Sequence, residues 1–219
     1  MKKTMMIFLG PPGSGKGTQT APLSEKLDIP VISTGALFRE EVEKGTNIGK
    51  LVEEKMNNGE LISTDITNEI LEKRLESPDT EKGFILDGYP RKEDQIDYAL
   101  KNINKIIDNG GQVFVFYIDV SDSTVNERIT GRRSCDCGKN FHTKFNPPKE
   151  SGICDDCHSP LIQRGDDSEE AVVKRLEEFH KGNKPVLEFF QDKKYFYRID
   201  GERDIEEIRE EIEAIINKD

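Results

Sequence analysis

Five short apolar runs punctuate the chain: MMIFLG at 5–10, IPVIS at 29–33, GFILDG at 83–88, QVFVFYIDV at 112–120 and YFYRID at 195–200. Their near-continuous hydrophobicity is the mark of strands buried on both faces. Stretches of helical composition separate them. The last segment, DIEEIREEIEAIINKD, sets Ile205, Ile208, Ile212, Ile215 and Ile216 on one helical stripe, with Asp204 in position to cap it. Strands alternating with helices predict an α/β fold, a parallel five-stranded sheet flanked by helices.

Two regions break the alternation. Residues 33–62 are charged and helical without a strand, and residues 131–168 hold the cysteines, several prolines and many turn residues. Both read as insertions over one edge of the sheet, leaving 1–32, 63–130 and 169–219 as the core of a single domain. A chain of 219 residues suffices for one sizeable core with such insertions.

Charge narrows the classes of partner. The chain has 43 Asp and Glu against 32 Lys and Arg, a formal charge of -11. A nucleic-acid binder needs a basic surface to neutralise phosphates, so no nucleic-acid partner is expected, and any bound anion must meet a local basic cluster. The opening MKKTMMIFLGPPG ends its short apolar run in a glycine-rich loop, unlike a secretory signal. No stretch reaches the ~18 apolar residues of a membrane span, and the expectation is a cytoplasmic protein. In that reducing compartment clustered cysteines are metal ligands before they are disulfides.

The first apolar run leads straight into GPPGSGKGT, Gly10 to Thr18, and then into a helix-like QTAPLSEKL. In that context Gly13, Gly15 and Gly17 let successive N–H groups (with those of Ser14 and Lys16) converge on a phosphate at a helix N-terminus, and Lys16 adds a positive charge. Gly17 stands where Ser or Thr usually follows the lysine, and Thr18 comes one place later. Mg²⁺ is then expected to be held through water and by an acidic residue, for which Asp87 at the end of the third run is placed.

STGALFRE at 33–40 opens a helix capped by Ser33 or Thr34, with Arg39 a turn inside. Asp87, Arg91 and Gln95 follow a strand end, where ligands bind in such sheets. Arg39, Arg91, Arg128, Arg132, Arg164 and Arg175 are six of eleven arginines and fall in loops, element ends or insertions. Singly each reads as a solvated ion pair; together they suit two facing phosphate chains, whose transfer chemistry needs positioned positive charge.

From end to end the chain resembles the adenylate kinases of the long-lid bacterial type. GPPGSGKGTQ, ISTGALFR, GELI, GFILDGYPR, ERITGRR, FHTKFNPPK, QRGDD and VVKRLEEFH stand in that family's order. The resemblance implies a phosphate-loop core with a nucleoside-monophosphate-binding insertion at 33–62 and a lid at 131–168. It implies a monomer converting ATP and AMP to ADP. ATP would be held by residues 13–18, Arg128, Arg132, Phe141, His142 and Arg203. AMP would be held by Thr34, Gly35, Arg39, Glu60, Leu61, Ile62, Gly88, Tyr89, Pro90, Arg91 and Gln95. Arg164 and Arg175 would reach the phosphates on closure, Asp87 would organise Mg²⁺, and Asp166 and Asp167 would support the closed lid. Catalysis would rest on Lys16, Asp87, Arg91, Arg132, Arg164 and Arg175. Thr34, Gln95 and the long lid point to adenine. Ala36 departs from the family's STGD pattern, and Phe141 stands for a common Tyr.

All four cysteines lie in CDCGKNFHTKFNPPKESGICDDC. Cys154 and Cys157 keep the C-x2-C spacing of a zinc turn, and 16 residues separate them from Cys137. This falls in the roughly 15–20 residue range of zinc modules. Cys135 and Cys137 are one residue closer than the zinc-bearing relatives. Structural Zn²⁺ is expected on Cys135, Cys137, Cys154 and Cys157, with free thiols as the alternative. Two rival functions remain at this point: a kinase for another nucleoside monophosphate, and a zinc-ribbon ATPase that binds nucleic acid.

Overall fold

The computed structural model describes residues 2–58 and 60–218, with the side chain of Asp166 outside the described part. The five apolar runs become β1 (Thr4–Leu9), β2 (Val31–Ser33), β3 (Gly83–Asp87), β4 (Gln112–Asp119) and, counting two short strands between, β7 (Phe196–Asp200). They form one sheet, ordered β2-β3-β1-β4-β7, and every pairing is parallel.

Alternation along these strands divides the core in two. Met5, Ile7 and Leu9 of β1 point to one face, with Val113, Val115 and Tyr117 of β4. There they meet Ile96, Ala99, Ile103 and Ile106 of α5 (Ile96–Asp108) and Val186 and Phe190 of α7 (Glu169–Phe190). Met6, Phe8, Phe114, Phe116 and Ile118 point to the other, against Leu23 of α1 (Lys16–Leu27) and Ile208 and Ile212 of α8 (Ile205–Ile216). The predicted isoleucine stripe is thus what seats α8. A strand buried on both faces has no polar side to spare, which is why the runs are continuous.

Asp204 and Ser33 occupy their expected N-cap positions with extended backbone, yet neither side chain bonds to its helix. Ser121 and Ser168 do cap, accepting from Thr124 and Ala171 N–H at the starts of α6 (Asp122–Thr130) and α7.

The two interruptions have separate small cores. Residues 33–62 supply α2 (Thr34–Glu43) and α3 (Asn47–Asn57), and Phe38, Val52 and Ile62 close against Ile70 of α4 (Thr64–Leu75). Residues 131–168 carry the antiparallel pair β5 (Arg132–Ser134) and β6 (Asn140–His142), whose cluster is Cys135, Phe141 and Cys154 with Leu161 beside them.

Candidate functional site

The first strand ends at Leu9, and the chain curls at once. A Cβ on Gly10 would stand 2.5 Å from the Ile118 carbonyl oxygen, so the loop starts where only glycine fits. Gly15, at φ 94, turns the loop into α1 in the left-handed region that glycine reaches without strain. Ser14 is buried, while Gly17 and Thr18 are exposed at the start of α1.

Lys16 is folded back over this loop. Its stem is partly open to solvent, but its ammonium is enclosed, donating to the carbonyls of Gly10 (2.9 Å) and Pro11 (2.8 Å) and to Ser14 Oγ (3.3 Å). Loss of hydration brings its pKa down to about 8; Asp87 pulls it back up, and the positive charges of Arg91, Arg175 and Arg132 push it down again. Charges from three distant segments are therefore felt at one nitrogen.

Each arginine has its own support. Arg132 donates through Nε to Asp167 Oδ2 at 2.9 Å and through Nη2 to Oδ1, and Arg175 Nη1 reaches the same Oδ1 at 3.3 Å. The Asp167 side chain is fully buried, so one carboxylate aligns two guanidiniums from opposite ends of the 131–168 segment and α7. Arg164 Nε donates to Ser134 Oγ (2.8 Å) and Nη2 to Asn140 Oδ1 (2.6 Å), which ties it to β5 and β6. The Arg91 backbone N–H donates to Gln95 Oε1 (2.7 Å), and its Nε to the Gly88 carbonyl (2.6 Å). Arg128 spans from Ser14 O (3.3 Å) to Gly201 O (2.9 Å), linking the phosphate loop to the turn after β7.

Asp87 closes β3 and stands opposite Phe8 and Ser33 in register, at the carboxyl end of the sheet. Thr34 is buried at the head of α2, with Gly35 and Arg39 following. Tyr89 is buried and donates to Asn68 Oδ1 (2.6 Å), and Pro90 is buried after a cis peptide. Glu60 is exposed, Leu61 half-buried, and Ile62 buried with its carbonyl accepting from Lys92 Nζ at 3.2 Å.

Three further residues of the expected ATP side pack or pair within the fold. Phe141 turns inward among Cys135, Cys154 and Leu161. His142 Nδ1 accepts from the N–H groups of Lys144 and Phe145, both at 3.0 Å, which leaves the proton on Nε2, 3.3 Å from the Glu127 carbonyl. Arg203 pairs with Glu211. The Asp166 side chain lies outside the described residues.

The four Sγ atoms of Cys135, Cys137, Cys154 and Cys157 lie within 4.8 Å of one another, all as free thiols. Tetrahedral zinc, with Zn–S of about 2.3 Å, sets its sulfurs roughly 3.8 Å apart. Cys137 to Cys154 is 3.7 Å and Cys135 to Cys157 is 3.2 Å, too long for an S–S bond of about 2.05 Å. The donor set fits zinc despite the shortened first turn. Hydrogen bonds from the Ser159 hydroxyl and then its backbone N–H draw the Cys157 thiol down to about 6, while the neighbouring sulfurs and loss of hydration push Cys135 and Cys137 up.

Sequence reading missed Asn68, Ser134 and Asn140, which hold Tyr89 and Arg164. A polar residue 20 or more positions away from its partner leaves no periodic signal.

A glycine-rich loop entering a helix, a lysine held over it, and arginines from the 131–168 segment, α7 and the turn after β3 whose charge acts on that lysine define a phosphate-loop enzyme that handles nucleotide phosphates. A family profile for adenylate kinase matches residues 8–195. Relatives named adenylate kinase include one from Archaeoglobus fulgidus, 45% identical over 97% of this chain and 98% of its own length. Another, from Caldanaerobacter subterraneus subsp. tengcongensis, is 43% identical over 96% of this chain and 95% of its own. One from Methanosarcina barkeri is 42% identical over 97% and 98%. The chain belongs to the adenylate kinase family of nucleoside monophosphate kinases.

Proposed function

We propose that this chain transfers the γ-phosphoryl group of Mg²⁺-bound ATP to AMP, reversibly, giving two ADP. The observation that carries this is the glycine-rich loop with Lys16 held over it by the Gly10 and Pro11 carbonyls, where the positive charges of Arg91, Arg132 and Arg175 also act. That much positive charge in one place is what two anionic phosphate chains need to approach each other.

In this reading the N–H groups of residues 13–18 and Lys16 hold the triphosphate, with Arg128, Arg132, Phe141, His142 and Arg203 on the ATP side. Thr34, Gly35, Arg39, residues 60–62, Gly88 to Arg91 and Gln95 receive AMP. Arg164 and Arg175 follow the moving phosphoryl group, and Asp87 with Thr18 organises Mg²⁺ through water. The acceptor is a phosphate oxygen, already anionic, so no general base is required and no phosphoenzyme forms. Residues 33–62 and 131–168 act as the monophosphate-binding insertion and the lid, and their closure excludes water that would otherwise take the phosphoryl group. Zinc on the four cysteines supplies structure to the lid. The resemblance implies a monomer, and clustered thiols suit the reducing cytoplasm.

Turnover with ATP and each of AMP, CMP, UMP and GMP tests the acceptor. AMP should give the highest kcat/KM by at least about a hundredfold, the size of discrimination that hydrogen bonding to a base supports. A clear preference for another monophosphate would overturn the reading.

Lys16 gives an independent check on the ATP side. Its pKa of about 8 lies below the ordinary lysine value of about 10.4. Between those values the folded chain binds fewer protons than the unfolded one, so the cost of burying this charge is full below pH 8 and is relieved as pH rises through that window. A triphosphate supplies the missing counter-charge. Binding of MgATP near pH 8.5 should be accompanied by net proton uptake that shrinks near pH 7. Calorimetry in two buffers of different ionisation enthalpy reads this, and heats independent of the buffer at both pH values would refute it.

A further inference from the structure

Gly182 lies in the interior of α7, a 22-residue helix in which glycine is the least suitable residue apart from proline. Its place is explained by what crosses it. A Cβ at Gly182 would stand 2.4 Å from the Arg91 carbonyl oxygen, 3.6 Å from its carbonyl carbon and 3.7 Å from Lys92 Cγ. The first of these is a backbone atom, which cannot swing aside as a side-chain tip can. We infer that Gly182 is a positioning residue, setting the depth at which the Arg91 backbone, and through it the guanidinium, lies in the site.

The surroundings turn that contact into a constraint. On its other side the Arg91 backbone is fixed by its N–H bond to Gln95 Oε1, and the side chain by its Nε bond to the Gly88 carbonyl. Gln95 is itself buried, so the segment cannot retreat without breaking these bonds. On α7, Arg175 and Gly182 are seven residues apart, two turns along one face, and Val186, a turn further, anchors that face in the core. One rigid helix therefore fixes Arg175 against Asp167 and Arg91 against Gly182, and holds the spacing between two arginines brought from different parts of the chain.

The inference rests on the role given to Arg91 above, and the test separates the two. Gly182→Ala, Arg91→Ala and the double variant are compared with the parent in kcat, in KM for ATP and for AMP, and in thermal unfolding. Misplacing a reacting group by about 1 Å costs on the order of a hundredfold. Gly182→Ala should therefore lower kcat by roughly ten- to a hundredfold while KM for ATP stays within about twofold. In the Arg91→Ala background the same change should cost almost nothing, because the group it displaces is gone. A purely helical role predicts the opposite: alanine raises the melting temperature and leaves kcat alone. That outcome, an equal loss in both backgrounds, or a Gly182→Ala chain without a cooperative thermal transition, overturns the inference. Near-parental activity of Arg91→Ala instead overturns the role of Arg91 itself.

Discussion

Replacing Arg91 with alanine should lower kcat for the ATP-plus-AMP reaction about a thousandfold, with the melting temperature almost unchanged. The size follows from the chemistry. An arginine that meets charge developing on a transferring phosphoryl group is worth about 10³–10⁵ in rate, and the lower figure applies where several guanidiniums share the load. A thousandfold is roughly 4 kcal/mol of barrier. The small effect on stability follows from position: Arg91 is exposed, so the groups it contacts, the Gly88 carbonyl among them, can turn to water in its absence. A loss of about 1 kcal/mol would move the melting point by roughly 2–4 °C in a chain of this size. Arg74, which meets Asp79 at 2.8 Å on the far end of α4, is the control, and its alanine variant should retain the parental rate. A steady-state coupled assay distinguishes these. Near-parental kcat in Arg91→Ala would remove this arginine from the reaction.

Why these arginines matter was only half legible in the sequence. The five apolar runs marked the five strands to within a residue or two, because a strand covered on both faces cannot hide its composition. The phosphate loop was legible for a similar reason, since the turn before α1 admits little but glycine at Gly10 and Gly15. What escaped was pairing at a distance. Arg132 and Asp167 are 35 residues apart, and the burial that makes Asp167 a shared anchor for Arg132 and Arg175 is a property of the folded segment. Gly182 and Arg91 stand farther apart still, and a helical glycine carries no sign of what crosses it. The capping expectations for Ser33 and Asp204 found the right positions but not the bonds. At Ser33 the backbone is still the last residue of β2, with φ -105 and ψ 120; for Asp204 the structure offers no physical account.

The shortened Cys-x-Cys turn sets the other large effect. Near one zinc per chain should be found by elemental mass spectrometry, and Cys154→Ser should lose it, with the melting temperature falling on the order of 10 °C, as loss of a metal clasp does in a chain of this size. The hydrophobic cluster of the 131–168 segment is Cys135, Phe141 and Cys154 with Leu161, two of its four members being sulfur donors. A cluster that small cannot hold some forty residues by burial alone. Metal binding takes the place of the missing core, so its loss is loss of local folding. Cys154 is the sharpest choice because it is fully buried and its Sγ stands 3.7 Å from that of Cys137. Serine there removes the soft donor while keeping the volume. The damage should stay local: amides of residues 131–168 should exchange faster with solvent while those of β1 and β4 do not change. Arg132 and Arg164 are anchored in that segment, so KM for ATP should rise and kcat should fall. A chain without zinc, whose four thiols react freely and whose stability is indifferent to Cys154→Ser, would mean that Phe141, Leu161 and the bonds between β5 and β6 hold the lid unaided.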